Sequence, residues 1–339
     1  MMKPLRGVIV GASTLLGKEL AEELNAADWD VHLADAGDVD GQIVSAGDEA
    51  LVIQPLRPDV FDGMDVAFFA DDPPTTRTHW QEAHRAGASV VDLSGGLEAQ
   101  PTVLVRCPWV PGGKAPDLTT VAVVPAHPAA IMLAIVASRL GSKFGDVRLA
   151  ATVLEPASQQ GSRGLDEMHQ QTVGLLGFQS VPKDVYDAQV AFNLRVNLGG
   201  AAKLDLAEIS DRIRRHIGAI GGDEAASRIA MQLVQAPVFH GYTMSVFVEL
   251  PQGADVAAVQ DALKGGMVEV AGSSDDAPSN ETAMESAGIR IAVAEEEAHR
   301  AGSTAFWLWA AADNLKLAAH HAVSCAAELA LLRPAEKIQ

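Results

Sequence analysis

Apolar and polar positions alternate along the chain with two different periods, and the switches between them mark its elements. The apolar run 7–10 ends in Gly11 and is followed at once by Leu15, Leu16, Leu20 and Leu24 on one helical face, which predicts strand, tight turn and helix. A second strand over 31–34 ends at Asp35, and runs at 66–70 and 89–93 enclose an amphipathic stretch over 77–86. Strands alternating with helices predict a parallel sheet. The stretch 98–116 is rich in Pro and Gly, and Pro125 and Pro128 flank the start of a strongly apolar helix over 129–140. Beyond it the order changes: a strand over 147–154, helices near 165–176 and 206–220, strands over 229–234 and 244–250, an exposed loop at 273–280, a strand pair near 289–293 and 305–310, and an Ala-rich helix over 314–332. We expect an α/β protein with a Rossmann-like domain, 1–126 plus 306–339, and an α+β domain, 127–305.

Composition narrows the partners. With 25 Lys and Arg against 44 Asp and Glu, the formal net charge of −19 repels a phosphate backbone and excludes nucleic acid. No stretch approaches the length of a membrane span, and Cys107 and Cys325 fit neither a disulfide framework nor a zinc site. A soluble protein of the reducing cytoplasm is expected, with no membrane contact.

The first turn suits a dinucleotide. Gly11 ends the strand where the backbone must approach a pyrophosphate, the helix beginning near Leu15 points its N–H groups at the anion, Ser13 and Thr14 offer hydroxyls, and Gly17 allows close packing on the sheet. Asp35, at the end of the next strand, is placed to accept hydrogen bonds from an adenosine ribose. With Asp38 and Asp40 following and no nearby cation, a 2′-phosphate meets negative charge. NAD is favoured over NADP; the alternative is that the glycines serve the fold and no nucleotide binds.

These segments resemble the aspartate-semialdehyde dehydrogenase family. The turn is similar to that family's Gly-Ala-Thr-Gly-x-Val-Gly, with Thr14 at the middle Gly; Ala86-Gly87-Ala88-Ser89-Val90-Val91-Asp92-Leu93-Ser94-Gly95 is similar to its Ala-Gly-x-x-Val-Ile-Asp-Asn-Ser-Ser. Ala191-Phe192-Asn193, Gln235 through Gly241, and Trp309 through Asn314-Leu315 continue the match over nearly the whole chain. The resemblance implies a glyceraldehyde-phosphate-dehydrogenase-like fold, a homodimer formed by the second domain, and a role related to amino-acid biosynthesis. It also places Ser94, Gly95 and Asn314 at the cofactor.

The family's chemistry needs a Cys thiolate that attacks an aldehyde, a His that moves the proton, a positioning Gln, and Arg side chains that hold the substrate. Here the chain departs from the pattern. Where the family has Asn-Pro-Asn-Cys-Ser-Thr before its apolar helix, this sequence has Val124-Pro125-Ala126-His127-Pro128-Ala129. The positioning Gln corresponds to Leu154, the substrate Arg to Gln235, and the catalytic His to Tyr242. This resembles the Usg-type branch of the family, whose active-site motifs are degraded. It implies a catalytically inactive homologue that binds a nucleotide or a protein partner. Two alternatives stay open: an NAD(P)-dependent oxidoreductase with a rearranged site, and a structural subunit of a larger assembly.

Other chemistry is weaker. His127, Tyr242, His240 and Glu155 can be drawn together as a polar cluster, with a helix-cap role as the plainer reading of His127. Cys107 lies in a loop, and Cys325 reads as core. His320 and His321, adjacent on a helix, point to different faces and argue against a metal site. Arg212, Arg214 and Arg215 read first as a solvated basic face and second as an anion pocket.

Overall fold

The computed structural model describes residues 4–37, 39, 42–46, 49–272, 276–295 and 303–332. The chain forms two compact units: 1–108, 113–126 and 318–339 in the first, 109–112 and 127–317 in the second.

The first unit runs β1 (Arg6–Val10), α1 (Leu15–Ala26), β2 (Asp30–Asp35), β3 (Ile43–Ala46), β4 (Glu49–Pro55), β5 (Val66–Phe69), α2 (Pro73–Arg85), β6 (Ser89–Asp92), β7 (Val103–Arg106) and β8 (Ala122–Pro125). The eight strands lie in the order β3-β4-β2-β1-β5-β6-β8-β7, parallel except for the β3–β4 hairpin. Both faces of the central strands are covered, so β1, β5, β6 and β8 carry consecutive buried apolar residues. Ile9, Leu33, Phe68 and Val91 pack with Leu20 and Leu24 on one side, while Val8, Val10, Ala67 and Phe69 pack with Phe61 and Ala83 on the other.

The second unit runs α3 (Pro128–Phe144), β9 (Arg148–Glu155), α4 (Gly161–Leu176), α5 (Leu206–Gly221), α6 (Asp223–Ser227), β10 (Ile229–Gln235), β11 (Tyr242–Ala254), α7 (Val256–Leu263), β12 (Val268–Val270), α8 (Asn280–Ala283), β13 (Ile289–Glu295) and β14 (Ser303–Ala312). Its sheet is ordered β10-β9-β11-β14-β13-β12. One face, with Val153, Tyr242, Met244, Val246, Phe306 and Leu308, is buried. The other exposes Trp307 by 42% and Trp309 by 39%, with Phe247 edge-on to Trp307.

Helix α9 (Asn314–Leu331) closes the chain, and its Ala319, Ala322, Cys325 and Leu329 join the first core. The expected return to the first domain at 306 is corrected: β14 pairs with β11 and β13, and the division falls inside α9, between Leu317 and Ala318. Trp307 and Trp309 lie on a strand of the second sheet, so β14 stays with that unit. Of the expected loop at 273–280, residues 273–275 lie outside the described residues.

Candidate functional site

In the first unit, β1 delivers the chain into Gly11 at φ +91°. A Cβ there would stand 2.5 Å from the Asp71 nitrogen, and one on Gly17 would stand 2.1 Å from the Gly11 carbonyl oxygen. Both glycines are therefore demanded by the backbone itself, which presses the start of α1 against the end of β1. Thr14 caps α1: its Oγ1 accepts the Gly17 N–H at 2.9 Å and donates to the Gly11 carbonyl at 2.8 Å. The expectation that both hydroxyls face an anion is thus corrected. The Thr14 hydroxyl is spent on the helix end, and the exposed Ser13 hydroxyl remains. Leu15 and Leu16 occupy the first helical positions, where N–H groups have no preceding helical carbonyl to bind and the dipole is positive.

Asp35 is 4% exposed, and its Oδ2 accepts the Ser13 N–H at 2.9 Å, which leaves Oδ1 for a second donor. Burial raises the pKa of the Asp71 carboxyl, and the charges of Asp72 and Asp35 raise it further. Backbone donors for a pyrophosphate and a carboxylate oxygen for ribose hydroxyls are both present, so the turn fits a dinucleotide. Asp38 and Asp40, expected to repel a 2′-phosphate, lie outside the described residues. Ser94 and Gly95 belong to a loop wound around buried Asp92, whose Oδ1 accepts the Ser94 hydroxyl at 2.6 Å and the Gly95 N–H at 3.1 Å.

The second unit gathers a buried polar cluster at the head of α3. His127 is the N-cap, its Nδ1 accepting the Ala129 N–H at 3.2 Å, with Pro128 as the first helical residue. Its own N–H donates to His216 Nδ1 at 2.9 Å, so each neutral ring carries its proton on Nε2. Burial drives the His127 pKa well down, helped by the positive charge of Arg212 and by His216. The Tyr242 ring stands edge-on to His127 at 5.9 Å, and its hydroxyl donates to Glu155 Oε2 at 3.5 Å. Gln160 donates to Glu155 Oε1 at 2.7 Å. Burial lifts Glu155 to about 7 against these two hydrogen bonds, which lower it, and it lifts the Tyr242 phenol well above its usual range, with Glu155 adding to the effect. Gln235 lies opposite Glu155 in the β9–β10 register, and its amide donates to the Glu155 carbonyl at 3.0 Å.

The structure thus brings His127, Tyr242, Gln235 and Glu155 together and leaves Leu154 out. Strand alternation puts Leu154 on the opposite face of β9, half-exposed beside Thr243 of β11. His240 is also outside the hydrogen bonds and ring contacts that join the others; its carbonyl accepts from Asn280. Asn314, expected at the cofactor, is 1% exposed, with its Oδ1 accepting the Ser158 hydroxyl at 2.9 Å and the Gly241 N–H at 3.0 Å. Arg214 and Arg215 are exposed as a solvated face, but Arg212 is half-buried and acts on His127 and Tyr242. His216 was absent from the sequence reading, although it shares the spacing of Ile213, Ile217 and Ile220 on α5.

Both thiols lie in the first unit, Cys107 fully buried and Cys325 1% exposed. Burial, and then Cys107, push the Cys325 pKa well up, so it is a poor nucleophile. Among the described residues no group of three His, Cys, Asp or Glu side chains could hold a metal ion.

Comparison with known proteins agrees with the two-unit arrangement. Residues 7–149 match the profile of the semialdehyde dehydrogenase NAD binding domain, and 139–317 match that of the dimerisation domain. A USG-1 protein homolog from Pseudomonas aeruginosa is 31% identical over 276 residues, 78% of this chain and 80% of that one. An aspartate-semialdehyde dehydrogenase from Rickettsia bellii is 25% identical over 339 residues, 97% and 98% of the two chains. Among solved structures, a probable aspartate-semialdehyde dehydrogenase from Pseudomonas aeruginosa superposes with a TM-score of 0.82 at 27% identity, covering 96% of this chain and 98% of its own.

Proposed function

The chain belongs to the semialdehyde dehydrogenase family, and we propose that it is a cytoplasmic, nucleotide-binding homodimer that does not run the thiol chemistry of the aspartate-semialdehyde dehydrogenases. The observation that carries this reading is His127 at the cap of α3, its Nδ1 occupied by the helix it starts. A neutral, buried imidazole cannot stand in for a thiolate, and the thiols are buried in the other unit. The other positions point the same way. Gln235 has no charge with which to clamp a carboxylate, and a phenol with a raised pKa, as at Tyr242, does not take up a proton near neutrality.

For the nucleotide, NAD is the preferred ligand. The N–H groups of Leu15 and Leu16 and the Ser13 hydroxyl would hold the pyrophosphate, and Asp35 the adenosine ribose. When bound, the dinucleotide supplies a hydride acceptor or donor. The dimer uses the face of the second sheet that carries Phe247, Trp307 and Trp309, whose exposure is costly for a lone chain.

Purified protein assayed with aspartate semialdehyde, phosphate and either nucleotide is expected to show no turnover, while NAD quenches the fluorescence of the five Trp residues more tightly than NADP. Turnover abolished by substitution of either Cys would refute the catalytic half of the reading; no response to either nucleotide would refute the binding half. A second reading, an oxidoreductase that moves a proton through Tyr242 and Glu155, is favoured by their hydrogen bond. It requires aldehyde-dependent NADH oxidation that Tyr242→Phe removes.

A further inference from the structure

The segment 178–205 joins α4 to α5 with no helix or strand of its own. Its largest inward side chain is Tyr186, fully buried, with a hydroxyl that has no hydrogen-bond partner among the described residues. Gly164 shows where that hydroxyl ends: a Cβ on Gly164 would stand 2.7 Å from it and 2.6 Å from the Cβ of Gln160. Gln160 is the residue whose amide holds Glu155. A second orphan is Gln235 Oε1, on the strand position directly opposite Glu155. The Tyr186 hydroxyl thus ends beside the segment that holds the Glu155 carboxyl, and the Gln235 amide holds the Glu155 main chain.

Side chains rather than a strand ladder hold this strap down. The Glu167 carboxylate accepts the N–H groups of Val185 at 2.6 Å and Tyr186 at 3.2 Å. Gln171 accepts those of Val190 and Ala191 at 2.8 and 3.2 Å and donates to the Pro182 and Ala188 carbonyls. One exchange of backbone hydrogen bonds, between Arg195 and Gln235, ties the strap to β10. Phe178, Asp187 and Phe192 sit at φ +52°, +45° and +55°, a region that side chains other than Gly enter at a cost. The closed strap is strained, and its grip combines these hydrogen bonds with the packing of Tyr186, Val190 and Ala191 against Ala157 and Met168.

We propose that this strap is a proton-controlled gate, closed over Glu155 while the carboxyl is protonated and released when it ionises. The protonated form is neutral and stays buried without the cost of a charge. The ionised form places a charge under a plug of buried Tyr186, and opening is what brings water to it. The groups facing Glu155 are Gln160 from the turn after β9, Tyr242 from β11, Gln235 from β10 and Tyr186 from the strap. Behind Tyr242 stand His127, with His216 bonded to its backbone N–H, and the cation Arg212; behind Tyr186 stands the anion Glu167. Burial sets Glu155 at about 7, so the gate answers to the neutral range. An open strap lifts Tyr186 off Glu155 and admits solvent to the cluster.

Hydrogen exchange of the full chain tests this at the amides of Val185, Tyr186, Val190 and Ala191, with rates corrected for the intrinsic effect of pH. Between pH 6 and pH 8 their protection is expected to fall by about tenfold relative to the amides of α3 and β9, and to stay level in Glu155→Gln. Level protection in the wild type, or the same fall in Glu155→Gln, overturns the proposal. Gln160→Ala removes a hydrogen bond that favours the ionised carboxyl and is expected to move the midpoint to higher pH; an unmoved midpoint also counts against the gate.

Discussion

The turn at Gly11 and the cluster at His127 each stand at the start of a helix that follows a parallel strand, yet they use that position in opposite ways. At α1 the cap is a small hydroxyl, Thr14, which satisfies Gly17 and leaves the donors of Leu15 and Leu16 ahead of it. At α3 the cap is a large imidazole that bonds to Ala129, receives a phenol ring edge-on and is 3% exposed. The first helix end leaves backbone donors open, as the proposed nucleotide site requires, and the second is filled by the chain's own side chains. A helix N-terminus alone thus does not identify a site; what occupies the cap decides.

The comparison can be broken most severely at the first helix. Gly17→Ala puts a Cβ on the Gly11 carbonyl and is expected to cost at least about 3 kcal/mol, read as a collapse of the denaturation midpoint or loss of soluble protein. An unchanged midpoint would mean that α1 does not lie against β1 as described.

At the second helix, sharpening comes from pH. Glu155 has a folded pKa of about 7, above its ordinary 4.5, so the folded state holds the proton more tightly and its stability falls as pH rises through that interval, levelling off above 7. The wild type is expected to lose roughly 1–2 kcal/mol between pH 6 and 8 relative to Glu155→Gln, measured by urea unfolding. His127, with its pKa driven down, works in the opposite direction, costing stability as pH falls below its ordinary value. Equal pH slopes for wild type and Glu155→Gln would remove Glu155 from the account.

Smaller effects follow at the caps and the ribose side. His127→Ala removes the acceptor for Ala129 and is expected to cost about 1–2 kcal/mol, while His127→Cys gains no semialdehyde turnover, because Gln235 and Tyr242 are unchanged. Asp35→Ala frees the Ser13 N–H and removes the proposed ribose acceptor; NAD is expected to bind about tenfold more weakly, with NADP affected less. Equal losses for both nucleotides would sever Asp35 from the choice between them.

Much of the fold was legible because its signals are local. The apolar run before Gly11, the helical spacing of Leu20 and Leu24, and the long apolar helix after Pro128 each stand on their own residues. The β3–β4 hairpin and β7 were not expected, since each is short and sits among Gly, Pro and Asp. The cluster was harder to read. The resemblance set Leu154 at the positioning Gln, while the residues themselves suggested Glu155 with His127 and Tyr242; the buried face of β9 decides which of the two neighbouring strand residues joins Tyr242. The alternation Leu149, Ala151, Val153, Glu155 carries that signal. Tyr186 is buried from a strap with no periodicity, so no pattern announces it. Arg212 was grouped with Arg214 and Arg215, although its place four residues before His216 puts it on the inward edge of α5.

The central claim is that the chain offers no sulfur for acyl transfer, and the most direct measurement is intact-mass spectrometry of the protein after incubation with aspartate semialdehyde and NAD in the absence of phosphate. The account predicts an unshifted mass. A thioester adduct on Cys107 or Cys325 would contradict it.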